Sequence, residues 1–224
     1  MKLAFNIHPD IWRQGSYQDF KISIIDSGSL IFRCIPDIYF QGPIYYRDLL
    51  QKSFISDSQG SLAFLIKKFG SGRRAYFSDT LENTGKELHR GGDSSNKVWF
   101  TCEIIRSIHV LESHPDSKLI ADMHDGKAVS NESLNILRED LDHIKHITDN
   151  NRGIQDMPWG PMPFHDCIEG VVFNSNKDPS SKTIMLFNSN NIRITQISNG
   201  LQTIEAKDFN RGLYINSDCS FTWD

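Results

Sequence analysis

A series of short strand-like runs in residues 168–224, separated by clusters of Asn, Ser and Gly, constrains the fold most strongly. Asn199-Gly200 stands between two alternating runs and predicts a hairpin with a type I′ turn, because both central residues of that turn need positive φ. We therefore expect an antiparallel sheet in this region. Its predicted strands cover residues 170–173, 183–187, 192–197, 203–209, 213–215 and 221–223.

The first 78 residues also contain strand-like runs, here broken by turn residues. Runs at 2–7, 20–25 and 30–35 predict a β-meander, since Pro and Gly residues or the Asp26-Ser27-Gly28 turn separate them. A short helix is expected over 45–54, with its leucines facing inward, and 61–69 fits either a strand or a helix.

The middle of the chain, residues 79–150, has apolar residues at helical spacing. A weak helix is expected around Leu81 and Leu88, and a clear one over 131–148. A further helix is indicated by an apolar series at spacings of three: Trp99, Cys102, Ile105, Ile108 and Leu111. The predicted fold is α+β, with an N-terminal β-meander, a helical middle, an irregular connector over 151–167 and a C-terminal antiparallel sheet in a single domain spanning 1–224. Whether the two β regions share one sheet is left open by the sequence.

The composition argues against some classes of partner and favours one cellular compartment. The chain has 24 basic and 28 acidic residues and a formal net charge of −4, which argues against binding to nucleic acid, since that affinity depends on a basic face. No apolar run approaches the roughly 20 residues of a membrane helix, and the N-terminus lacks the apolar stretch of a signal peptide. The cysteines are far apart in the sequence, at Cys34, Cys102, Cys167 and Cys219. This spacing favours buried reduced thiols, a cytoplasmic protein and the absence of a cofactor.

A His/Asp-rich segment over 109–146 is the strongest candidate for chemistry. Imidazole and carboxylate groups are ligands for zinc, manganese or iron, so a metal-dependent hydrolase or nuclease is one hypothesis. No established ligand spacing is present, and a solvated helix pair with surface histidines explains the segment equally well. The candidate ligands are His109, His114, Asp122, His124 and His143.

Three smaller patterns are also compatible with chemistry. Glu205-Ala206-Lys207, with Asp178 or Glu169 as the upstream acid, resembles the Glu-x-Lys pattern of metal-dependent nucleases, although an exposed strand face gives the same pattern. His165-Asp166-Cys167 combines an imidazole and a thiol, but a buried cysteine is the simpler interpretation. The glycine-rich turn over 70–74 carries two arginines and is a candidate for phosphate binding or an ordinary hairpin.

The leading hypothesis is a non-enzymatic binding protein. Residues 101–150 carry 5 basic and 10 acidic side chains, and an acidic surface accelerates association with a basic partner. A small inhibitor presents such a surface to a basic partner. Bacterial immunity proteins, which inhibit a cognate toxin or nuclease domain, commonly lack recognisable motifs, as this chain does. The expected partner-binding residues are Asp116, Asp122, Asp125, Glu139, Asp142 and, in the proline-rich connector, Trp159. A third hypothesis is a carbohydrate- or ligand-binding β module with Trp223 and Tyr214 in one groove.

Overall fold

The computed structural model describes residues 5–7, 20–37, 40–56, 73–88, 96–113, 168–175, 178–209 and 212–224. These residues form mainly β-strands, together with two short helices and a 3₁₀ helix at Ala206–Asp208. The helices are α1 (Tyr46–Lys52) and α2 (Leu81–Leu88). The strands are β1 (Phe5–Ile7), β2 (Phe20–Ile25), β3 (Leu30–Pro36), β4 (Ile44–Tyr45), β5 (Ile55–Ser56), β6 (Arg73–Ser78), β7 (Lys97–Ile104), β8 (Ile108–Ser113), β9 (Ile168–Asn174), β10 (Lys182–Leu186), β11 (Ile192–Ser198), β12 (Thr203–Glu205), β13 (Leu213–Ile215) and β14 (Phe221–Trp223).

Eleven of these strands form one large mixed sheet. Its order is β1-β2-β8-β9-β10-β6-β3-β7-β11-β12, and β5 pairs with β6 beside this path. Neighbouring strands are antiparallel except β8 and β9, which run parallel. The remaining three strands form a small antiparallel sheet in the order β14-β13-β4.

The large sheet is strongly curled. β7 and β8 are joined by only three residues, yet they lie five positions apart in the strand order. In a flat sheet they would be separated by about 24 Å, whereas the link from Ile104 to Ile108 reaches at most about 15 Å. The turn after β2 meets the turn after β7, since Gly28 N–H donates to Ile104 O at 2.7 Å and Ser27 Oγ donates to Ile105 O at 3.1 Å.

The main apolar cluster lies on one face of this sheet, and the opposite face of β8, β9 and β10 is buried as well. Along β7 every second residue is buried, from Val98 through Phe100 and Cys102 to Ile104, which is the period of a strand with one apolar face. This face packs against Leu49 of α1 and Ile215 of the small sheet in one apolar cluster. Burial of these side chains removes them from water and is the main force holding the two sheets together.

The predicted helical middle is wrong. The apolar series from Trp99 to Leu111 lies on β7, on the following turn and on β8, and its spacing of three does not match the pattern of buried residues. Trp99 is only half-buried and Ile105 is 45% exposed, whereas the residues at period two are buried. α2 confirms the weak helix at Leu81 and Leu88, and the expected helix over 131–148 lies outside the described residues.

The β-meander and the C-terminal antiparallel sheet are also wrong as units, although most of their strands are correctly placed. The two β regions, whose connection the sequence leaves open, both contribute strands to the large sheet. β2 and β3 are not neighbours, because β2 pairs with β8 and β3 pairs with β7. β9 to β12 belong to the large sheet, and β13 and β14 belong to the small one. The helix expected over 45–54 is confirmed by α1, whereas residues 61–69 and the connector over 151–167 lie outside the described residues.

The predicted hairpin at Asn199-Gly200 forms, but with a different turn. Ser198 pairs with Thr203, which leaves a four-residue loop. Gly200 has φ of +86°, whereas Asn199 does not have positive φ, so the turn is not type I′. Instead Asn199 Oδ1 accepts the amides of Leu201 and Gln202 at 3.0 and 2.8 Å, the pattern of an Asx turn.

Within the described ranges, neither helix is long and apolar enough to cross a membrane. Cys34, Cys102 and Cys219 are buried reduced thiols outside any disulfide bond, as expected from their spacing, and Cys167 lies outside the described residues.

Candidate functional site

Only one of the expected metal or partner-binding residues lies in the described part of the chain. His109 is half-buried on β8, where it is paired with Ile24 of β2 and Ile168 of β9. No group of three or more His, Cys, Asp or Glu residues in the described ranges is arranged to hold a metal ion. The other expected residues lie outside those ranges and stay predictions: His114, Asp116, Asp122, His124, Asp125, Glu139, Asp142, His143 and Trp159.

The Glu-x-Lys nuclease arrangement is not formed. Lys207 lies on the 3₁₀ helix after β12, and β12 pairs with β11 and not with a strand that carries Asp178 or Glu169. Each carboxylate has its own separate contacts. Glu205 accepts from Gln196 Nε2 at 2.6 Å, and Glu169 accepts from Asn191 Nδ2 at 2.8 and 2.7 Å.

The single groove expected for a ligand-binding β module is not formed either. Tyr214 is paired with Thr222, and its neighbour Leu213 is paired with Trp223. Since successive side chains of a strand point to opposite faces, Tyr214 and Trp223 lie on opposite faces of the small sheet.

The other small patterns lie largely or wholly outside the described residues. This holds for His165-Asp166-Cys167 and for the glycines of the turn over 70–74. The two arginines of that turn begin β6, where Arg73 is exposed and the Arg74 guanidinium lies 5.3 Å from the centre of the Tyr76 ring. The phosphate-binding hypothesis therefore stays a prediction.

A buried polar network that the sequence analysis missed crosses β2, β8, β9 and β10. Glu112 is its centre: Ser23 Oγ donates to Glu112 Oε2 at 2.7 Å, and Lys182 Nζ donates to Glu112 Oε1 at 3.1 Å. Lys182 also donates to Asn174 Oδ1 at 2.7 Å. The Glu112 side chain is only 7% exposed, so this pairing compensates the cost of removing a carboxylate from water.

A second network surrounds the start of α2. Thr80 Oγ1 accepts the amide of Asn83 at 3.1 Å and so caps the helix. The fully buried Asn83 side chain donates to Ser78 Oγ at 2.6 Å and accepts from Ser175 Oγ at 2.7 Å. These bonds join α2 to β6 and to the end of β9. A Thr three residues before Asn was the only sequence signal for this cap.

Asp79 lies between these two networks. The residue is only 7% exposed, and its Oδ1 atom has no hydrogen-bond partner in the described part of the chain. Burial raises the pKa of this carboxyl, while a backbone hydrogen bond from Lys182 and the Lys182 charge oppose that shift. The contacts described for these polar groups hold strands and α2 together.

The small sheet exposes an apolar edge. β14 is its outer strand, and within the described residues it pairs with β13 alone. Trp223 on this strand is 46% exposed, whereas Phe221 packs against the core. The turn before β14 touches the β11–β12 hairpin, because Asn199 Nδ2 donates to Cys219 O at 3.2 Å. That hairpin places Leu201 at its tip with 98% exposure.

Carboxylates flank this edge. Asp218 precedes β14 and Asp224 follows it, and both are exposed. Residues 212–224 contain no Lys or Arg. Hydrogen bonds from Ser220 lower the pKa of Asp218, so its negative charge persists in mildly acidic solution. We call the set of Asp218, Phe221, Trp223 and Asp224 the β14 edge.

Aromatic residues cover the other face of the small sheet. The rings of Tyr45 and Tyr214 are 4.0 Å apart, and their hydroxyls are hydrogen-bonded. Tyr45 Oη also donates to Asp224 Oδ2 at 3.2 Å. The hydrogen bond with Tyr214, burial and Asp224 together raise the pKa of Tyr45 to about 12. This contact fixes Asp224 at the end of the β14 edge.

Comparisons with known protein families, with curated proteins and with solved structures found no match. The function proposed below is therefore argued from the residues of this chain alone.

Proposed function

We propose that this chain is a non-enzymatic binding protein of the immunity type, which inhibits a basic toxin or nuclease domain. The half-exposed Trp223 on the outer strand of the small sheet carries this proposal. Tryptophan is enriched among the residues that dominate protein–protein affinity, because a large ring buries much area at low entropic cost. The exposed Leu201, next to the turn that starts β14, adds a second apolar contact.

The charge of the surface supports a basic partner. Asp218 and Asp224 flank Trp223, so that the apolar anchor lies between two negative charges. In the proposal these residues act together with the acidic segment at 101–150 and with Trp159. Opposite charge accelerates encounter and disfavours acidic partners.

Location in the cytoplasm belongs to the same proposal. The three described cysteines are buried and form no disulfide bond, and burial raises the pKa of the Cys102 and Cys219 thiols. Unreactive reduced thiols are typical of proteins in a reducing compartment.

The test is complex formation with the product of the gene that neighbours this one in the source genome. We expect a stable complex whose Kd rises at least about tenfold in Trp223→Ala, because a truncated anchor costs about 2 kcal/mol or more. Leu81→Ala is the matched control, since Leu81 is exposed to a similar extent, 51%, at the start of α2 and lies outside the proposed surface. Its Kd should stay at the wild-type value.

Equal binding by wild type and Trp223→Ala would contradict the proposed surface. Elemental analysis of the purified chain supplies an independent check on the function. Stoichiometric zinc, manganese or iron that is lost in His124→Ala would favour the metal-dependent hydrolase instead.

A further inference from the structure

We infer that the β14 edge binds an extended, basic segment of the partner as an added β-strand. This inference rests on the proposed function and specifies how the partner is held. Strand addition obtains affinity from main-chain hydrogen bonds and specificity from alternate side chains. Three observations carry it: the open backbone groups of β14, the exposed Trp223 and the flanking carboxylates.

The hydrogen bonds of the small sheet show which backbone groups are open. Asn216 N–H donates to Ser220 O at 2.9 Å, and Asp224 N–H donates to Gly212 O at 2.7 Å. In an antiparallel pair, alternate residues of a strand bond to the same neighbour. The backbone groups of Ser220, Thr222 and Asp224 therefore face β13, and those of Phe221 and Trp223 point away from it.

The outward groups form a template for a new strand. Phe221 and Trp223 each present one N–H and one C=O, and among the described residues no strand pairs with this side of β14. Exposed edges are commonly protected by Lys or Pro. β14 and its flanking residues contain neither, so the edge is open to pairing.

The carboxylates around the β14 edge favour a basic segment as the added strand. Asp218 and Asp224 lie at the two ends of β14, and Asp37 also lies close enough to Cys219 to act on its thiol. Lysine or arginine side chains on an added strand would meet these carboxylates. A second copy of β14 would instead bring further carboxylates to the same edge, so like charges disfavour self-pairing.

The experiment uses the full-length ¹⁵N-labelled protein and a capped peptide of about nine alternating lysine and valine residues, long enough to span a strand. We expect the peptide to slow amide exchange at Phe221 and Trp223 by at least about tenfold, because their N–H groups become hydrogen-bonded. The amide of Thr222, which faces β13, is the internal control and should change little.

Two further peptides test the mode of binding. The first has the same side chains but carries N-methyl groups on two consecutive central amides. Because consecutive amides point to opposite edges of a strand, one methyl group always faces β14, and this peptide should not protect the amides of Phe221 and Trp223. The second has glutamate in place of lysine and should bind at least about tenfold more weakly at low salt. The double variant Asp218→Asn/Asp224→Asn should reduce this preference for lysine without loss of the fold.

Unchanged exchange at Phe221 and Trp223 with saturating lysine peptide would overturn the inference. Protection that depends on protein concentration without peptide would also overturn it, since the occupant would then be a second copy. If Trp223→Ala weakens the natural complex but the peptide protects nothing, the proposed function stands and strand addition fails. If the peptide protects the edge but Trp223→Ala leaves the natural complex intact, the proposed function fails and the strand-binding edge stands.

Discussion

At the scale of single residues, Cys219 has the most demanding backbone conformation. Its φ of 64° is the only positive φ of a non-glycine residue in the described ranges. Cys219 N–H donates to Asn216 O and Asn216 N–H donates to Ser220 O, both at 2.9 Å, so the residue closes the tight turn between β13 and β14. Glycine is the usual residue at such a position, because a Cβ atom there costs about 1–2 kcal/mol.

The first prediction separates this backbone cost from the packing of the thiol. Cys219→Gly and Cys219→Ala both remove a sulfur atom that is almost fully buried, but only the glycine variant relieves the left-handed conformation. We expect Cys219→Gly to have a free energy of unfolding about 1 kcal/mol above that of Cys219→Ala. Urea unfolding of the two variants measures this difference, and an alanine variant as stable as the glycine variant would contradict it.

At the scale of secondary structure elements, the turn before β10 and α2 are joined by Asp178. Lys86 Nζ on α2 donates to Asp178 Oδ2 at 3.1 Å, and Ser180 Oγ donates to Asp178 Oδ1 at 2.6 Å. The hydrogen bond from Ser180, followed by that from Lys86, lowers the pKa of Asp178 to about 2. The interaction is exposed to solvent, so salt weakens it.

The second prediction follows from the sign of this shift. An unfolded Asp has a pKa of about 3.9, so the carboxylate of Asp178 stabilises the fold above that pH and ceases to do so as the pH falls to about 2. We expect Asp178→Asn to reduce the pH dependence of the free energy of unfolding between these two values. Asp208→Asn, at an exposed carboxylate on the 3₁₀ helix, is the control. Identical pH profiles for wild type and Asp178→Asn would show that the turn does not depend on this carboxylate.

The sequence predicts individual elements better than their pairing. β13 and β14 have the predicted bounds, because short alternating runs between turn residues leave few alternatives. The sequence predicts a helix where β7 forms, because Trp99, Cys102 and Ile105 in the following turn fit a period of three. The apolar residues of β7 itself fit a period of two. The pattern of buried residues distinguishes the two periods. This pattern depends on the pairing of β7 with β3 and β11, which are distant in sequence.

The polar contacts are harder to predict from the sequence than the strands. Ser23, Glu112 and Lys182 each occur in ordinary alternating runs, and nothing local indicates that a serine, a carboxylate and an ammonium group meet on one face. Only the order β2-β8-β9-β10 brings them together. The sequence indicates Trp223 only as one side of a ligand groove shared with Tyr214, and the separation of these two residues follows only from the register of β13 and β14.

At the scale of the whole molecule, the large sheet interleaves distant parts of the chain. β8 from the middle lies between β2 and β9, β10 pairs with β6, and β11 pairs with β7. Long-range pairing of this kind costs loop-closure entropy, and this cost is offset only when the contacts of the complete sheet have formed. Unfolding of either half would expose the core face of the other, so a single domain over 1–224 stays the prediction.

The last prediction tests this coupling at the Glu112–Lys182 pair, which joins the middle of the chain to its C-terminal part. Lys182→Met removes the Lys182 ammonium group from the buried Glu112 carboxylate, so we expect a loss of about 2 kcal/mol in the free energy of unfolding. Far-ultraviolet circular dichroism and tryptophan fluorescence should report one shared transition at a lower urea concentration. Glu112→Gln added to Lys182→Met should recover part of the loss, because it removes the buried charge that Lys182 no longer compensates.

Lys207→Met is the control, since Lys207 is exposed on the 3₁₀ helix and its replacement should change the free energy of unfolding by less than about 0.5 kcal/mol. A Lys182→Met protein whose two optical signals separate into distinct transitions would show that the sheet is not one cooperative unit. A loss no greater than that of Lys207→Met would instead show that the other contacts of Glu112, including Ser23, suffice to hold its carboxylate inside the fold. Either result would show that the strands from the N-terminal and C-terminal halves of the chain depend on one another less than the strand order indicates.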